Sequence, residues 1–130
     1  MKAISTSNDY YGLYFYTIRG DKMDLEILTD LFEALTIFCF GLSWPISIRK
    51  SYVSRTAKGK SLFFEVFLLI GYAFGITRKI IQVAAMGSSG FIFFLSFFFY
   101  VMNFIEISVD VGLYFRNVKL DRKRDAGEPV

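Results

Sequence analysis

With 130 residues, 54% hydrophobic and 19% aromatic, the chain is too short for two globular domains and too apolar for the polar surface of one soluble domain. The net charge is +3, and the absence of histidine excludes His-based triads, His metal sites and imidazole pH switches. A single cysteine excludes an internal disulfide, and no phosphate loop, metal-ligand cluster or nucleophile–base pair appears, so no enzyme activity, cofactor or metal is expected.

The chain opens on "MKAISTSND", which has no apolar signal core, so a cleaved signal peptide is not expected. Residues 1–26 read as an N-terminal extension. Within it "YYGLYFYTI" (Tyr10–Ile18) is tyrosine-rich and suits the membrane interface, as an interfacial helix or a cap over the outer mouth.

Three apolar segments follow, at about 27–48, 61–84 and 90–115, and together they predict a three-helix transmembrane domain over 27–115. A helix of ~20 residues spans the ~30 Å hydrocarbon core. The second segment reaches that length only if "RKIIQVAAM" extends it, with Arg78 and Lys79 snorkelling to the interface. The third contains "FIFFLSFFFYVMNFI", apolar all round and without the polar face a soluble bundle needs. Cys39 lies in the first apolar run, where a small buried hydrophobe is expected. Residues 116–130 form a basic tail.

Charge sets the orientation. Arg49, Lys50, Arg55, Lys58 and Lys60 fall within twelve residues free of acids, and Arg116, Lys119, Arg122, Lys123 and Arg124 follow the last span. Each cluster abuts a membrane-length segment, which favours membrane lipid over nucleic acid as its neighbour. Three spans place both clusters on one side, and the positive-inside rule makes that side cytoplasmic, with the N-terminus outside.

Ionisable groups inside spans are expensive and functional by default. Glu33, Glu65, Asn103, Glu106 and Asp110 are the polar candidates. Glu33 lies near the outer interface, Glu65 can reach Lys60, and Asp110 can pair with Arg116. Asn103 and Glu106 sit mid-span, and the spacing 103, 106, 110 aligns Asn103, Glu106 and Asp110 on one helical face, opposite Phe98, Ile105 and Val109. Such a stripe must face protein or water, as packing glue or as a substrate path. Gly71 and Gly75, four apart in the second span, permit a close helix approach.

Pro45 lacks an N–H, so the bond to the Gly41 carbonyl is lost. It is either a kink that serves as a hinge with Gly41, or a helix terminator. A proline ending the first span, the basic loop "KGKS" (Lys58–Ser61), Leu62 opening the second span and Asn103 in the third resemble the PQ-loop superfamily. At this length the resemblance is to the bacterial SemiSWEETs, which are single three-helix repeats. It covers about Ile27 to Leu120. Ile46 stands where the family has glutamine, and no tryptophan lies near the end of the second helix; Phe74 and Gly75 occupy that neighbourhood, and the one tryptophan is Trp44.

The resemblance implies an all-α membrane protein paired as a parallel homodimer in a bacterial inner membrane. It would carry a sugar or other small polar metabolite by alternating access, with Asn103 on the two-fold axis. Substrate contacts would come from Asn103, Glu106, Gly75 and Phe74, and the protomers would rock about the Pro45 and Gly41 positions. Two alternatives accompany it: a non-transporting scaffold or regulatory subunit, and a proton-coupled amino-acid or cation carrier using Glu106 and Asp110.

Overall fold

Residues 6–87 and 90–130 are described by the computed structural model, and among them the regular elements are three α-helices: α1 (Thr6–Ser54), α2 (Leu62–Met86) and α3 (Phe91–Asp125). All three contain stretches long and apolar enough to cross a membrane, the signature of an integral membrane protein. At 1.5 Å per residue, the 49 residues of α1 measure roughly 74 Å, more than twice a hydrocarbon core. The tyrosine-rich stretch is thus part of α1 over its described residues, continuous with the first apolar run.

The helix ends follow from local chemistry. Arg55 adopts a left-handed φ of 53° and ends α1, and Gly59 (φ 84°) turns the loop. Ser61 caps α2, its hydroxyl accepting from the Phe64 N–H at 3.3 Å. Gly87 (φ 84°) closes α2, donating its N–H to the Val83 carbonyl. Pro45 lies inside α1, so it does not terminate the helix. One hydrogen bond is lost there, but the helix continues because the turns beyond it are anchored to α3.

α3 packs against both other helices, and among the described residues the α1 and α2 backbones make no close approach to each other. Two bonds fix the register. The Asn103 amide donates to the Ile37 carbonyl, and the Asn117 amide donates to the Ser51 carbonyl. The sequence separation is 66 in both, so α1 and α3 run parallel and in step.

The buried residues of α3 are Phe93, Ser96, Asn103, Ile107, Asp110 and Asn117. Their steps of three, four and seven describe a heptad seam, the pattern of left-handed, coiled-coil-like packing. Ala34, Ile37, Gly41 and Ser51 bury the matching face of α1. Four of the six α3 residues are polar, while Phe63, Phe74 and Phe91 are each more than 70% exposed. This inverts a soluble core. It suits lipid, where apolar tails give helices no hydrophobic reason to associate and packing and hydrogen bonds hold them together.

Cys39 is exposed rather than buried, because it lies off the face that α1 turns to α3. Lys79 does not snorkel: its side chain is wholly buried, held by partners on α1.

Candidate functional site

The polar groups lie at three levels along the bundle. At the end remote from the α1–α2 loop, Lys79 on α2 places Nζ 2.6 Å from Glu33 Oε2 and 3.6 Å from Asp30 Oδ1, both on α1. Arg78 reaches Glu33 Oε1 at 2.7 Å, and the Tyr100 hydroxyl of α3 donates to the same oxygen at 2.9 Å. The Lys79 ammonium also lies 4.3 Å from the Phe93 ring centroid, a cation–π contact. Glu33 therefore ties all three helices together. Gly75 makes room for this arrangement, since a Cβ there would collide with the Tyr100 ring.

At the loop end, Asp110 is fully buried and fully bonded. Lys60 donates to both its oxygens at 2.5 Å, and the Ser47 and Ser51 hydroxyls donate at 2.8 and 2.9 Å. Its cation is Lys60 rather than Arg116, which instead donates to the Tyr52 carbonyl and to Asn117. Glu65 completes the group, 3.6 Å from Lys60. Beyond it, Asp121 accepts from the Ala57 N–H at 2.8 Å and from the Thr56 hydroxyl at 3.0 Å, clamping the loop to the α3 tail. The Ala57 N–H, then the Thr56 hydroxyl and Arg124, hold the Asp121 carboxyl below its ordinary range.

Between these levels sits Asn103, fully buried. Its amide nitrogen donates to the carbonyls of Ile37 (3.2 Å) and Phe99 (2.8 Å), while its Oδ1 has no partner among the described residues. Gly41 allows that approach, for a Cβ there would lie 3.0 Å from Asn103 Nδ2. One turn on, the buried Oε2 of Glu106 is also without a partner among the described residues. Tyr72 of α2 meets the Tyr100 ring edge-on at 6.1 Å between centroids.

Asn103, Glu106 and Asp110 share the inner face of α3, with Phe98, Ile105 and Val109 exposed on the other. Phe74 is exposed on the outside of the unit, and Gly75 lies against Tyr100 at the remote level, so neither is brought to Asn103. Gly71 has open space around it. Ser47, Ser51 and Asn117 were not singled out from the sequence, and Lys79 reads there only as a snorkelling residue. Ser47 and Ser51 could have been found from their i, i+4 spacing, which puts two hydroxyls on one face of an otherwise apolar helix.

A cleft of about 320 Å³ opens at the loop end between α1, the loop and α2, with Trp44, Ser47, Lys50, Lys58, Lys60 and Glu65 on its walls. Among the described residues, no group of three His, Cys, Asp or Glu side chains could hold a metal ion. Compared with protein-family models, curated proteins and solved structures, the chain matches none.

Proposed function

We propose that the chain is one half of a small-solute membrane transporter of SemiSWEET type, a parallel homodimer that moves a sugar or another small polar metabolite by alternating access. The carrying observation is the mid-span pair of acceptors, Asn103 Oδ1 and Glu106 Oε2, buried and unpartnered. A buried acceptor left without a donor costs about 1–3 kcal/mol, a cost that a passing solute with hydroxyl or amine donors would offset. The arrangement around that pair supports the same reading. Towards the loop end α1 and α2 part to form the cleft, while at the remote end Glu33, Arg78 and Lys79 bridge them. On the expected orientation, with the loop end cytoplasmic, the bundle is more open towards that side, although neither Asn103 nor Glu106 lines the cleft.

Glu106 favours a second reading, coupling to protons, because its free oxygen leaves it able to take one. Asp110, saturated by Lys60 and two hydroxyls, is not available for that role. Uptake into proteoliposomes across a panel of sugars and amino acids, with and without a pH gradient, tests both. Uptake of a sugar without a gradient supports the first, and gradient-dependent uptake supports the second. No uptake of any solute rejects both in favour of a scaffold.

A further inference from the structure

The cleft at the loop end has a charge problem of its own. Lys60 faces two carboxylates, Asp110 and Glu65, while Lys50 and Lys58, on the same walls, make no ion pair among the described residues. Lys58 adds only at longer range to the field on Asp121, so the three lysines outnumber the two nearby carboxylates by one. Ser54 and Ser61 add hydroxyl donors, and the cleft abuts the first turn of α2, the positive end of a helix dipole. Trp44 and Phe64 supply an apolar wall, and Phe63 and Phe67 are exposed on the neighbouring surface of α2. Cations and donors thus meet lipid-facing aromatics across one cleft.

We propose that this cleft binds the phosphate headgroup of an anionic membrane lipid. The phosphate would lie between Lys50, Lys58 and the Ser54 and Ser61 hydroxyls, and the acyl chains would run along the exposed phenylalanines of α2. A volume of about 320 Å³ is room for a headgroup, not for two chains. Glu65 is the one carboxylate on the walls; Lys60 stands 3.6 Å from its Oε1 and its buried Oε2 has no partner among the described residues, so the phosphate must lie away from it, towards Lys50 and Lys58. A soluble phosphate ester has the same head chemistry but would leave the aromatic flank unused. The lipid assignment follows from that flank and from the cleft's place at the end of the apolar helices. It rests on the membrane reading and shares its cleft with the transport reading, in which a bound headgroup would sit beside the inner opening.

The test uses the full chain purified in detergent, with native mass spectrometry reading retention of phosphatidylglycerol, of phosphatidylcholine with the same chains, and of glycerol 3-phosphate. The double variant Lys50→Gln/Lys58→Gln is compared with Arg122→Gln/Lys123→Gln, which removes equal charge from the exposed tail. Preferential retention of phosphatidylglycerol is expected, weakened roughly tenfold or more in the first variant and unchanged in the second. Equal weakening in both, no preference over phosphatidylcholine, or glycerol 3-phosphate bound as tightly as the lipid would each overturn the assignment. Melting temperatures near that of the parent chain check that both variants fold. Lipid retention without solute uptake would sink the transport reading and leave this one standing.

Discussion

The Lys79 ammonium and the Glu33 carboxylate meet at 2.6 Å between α2 and α1, although the two helices have no close backbone contact. α3 separates their backbones, and two long side chains reach across to join them. Removing one partner of a buried pair leaves an uncompensated charge, which costs about 3–5 kcal/mol. Glu33 keeps Arg78 and the Tyr100 hydroxyl when Lys79 is removed, so Lys79→Met should destabilise the protein by less than that. Glu33→Gln, by contrast, strands the wholly buried Lys79 with only Asp30 at 3.6 Å and should cost about that amount. Lys79→Met/Glu33→Gln should recover part of the loss, measured by thermal unfolding in detergent. A double variant no better than additive would mean the pair is not coupled.

Gly75 and Gly71 offer a contrast within one helix. The Tyr100 ring that faces Gly75 is held by its own bond to Glu33 and cannot swing aside. Gly75→Ala should cost about 1–3 kcal/mol through overpacking, while Gly71→Ala, in open space, should stay within about 0.5 kcal/mol of the parent. Equal effects in unfolding scans would contradict the packing described.

Asp110 and Glu106 lie one turn apart and should behave in opposite ways. Asp110→Asn breaks a saturated ion pair and should destabilise by about 3 kcal/mol or more. Glu106→Gln removes a carboxylate whose Oε2 has no donor, and should leave stability unchanged or slightly raised while altering solute binding. A stability loss in Glu106→Gln matching that of Asp110→Asn would make Glu106 a structural residue.

The Asp121 clamp is checked by proteolysis. The loop it holds contains trypsin sites at Arg55, Lys58 and Lys60. Asp121's carboxyl is held below its ordinary range in the fold, so its contribution is present above the unfolded pKa and lost as pH falls through the folded one. Asp121→Ala should speed loop cleavage at neutral pH. For an acid-stable protease, cleavage of the parent loop should rise at low pH and that of the variant should not.

Periodicity made the polar face of α3 legible, because a stripe at 103, 106 and 110 has only one way to lie on a helix. It also separated that face from Phe98, Ile105 and Val109. Lys79 was not legible. Beside Arg78, near the expected end of a short span, it reads as a snorkelling residue, and its partner Glu33 lies 46 residues away. Only the packing of three helices brings them together. Asp110 shows the same limit: Arg116 is its near neighbour in sequence, yet the α1–α2 loop returns Lys60 to it from 50 residues away. Pro45 was ambiguous because a proline within a helix costs roughly 3 kcal/mol. The bonds of Ser47 and Ser51 to Asp110, just beyond it, oppose that cost and carry α1 on to Ser54.

The most direct test of a transport path centred on Asn103 is solute uptake by Asn103→Ala beside the parent chain, reconstituted at equal density. Because the amide also holds the Ile37 carbonyl, dimer content and melting temperature are recorded for the same sample, with Glu106→Gln as a second variant. Loss of uptake in a folded, dimeric Asn103→Ala protein is the predicted result. Uptake at the parent rate would contradict the role assigned to Asn103.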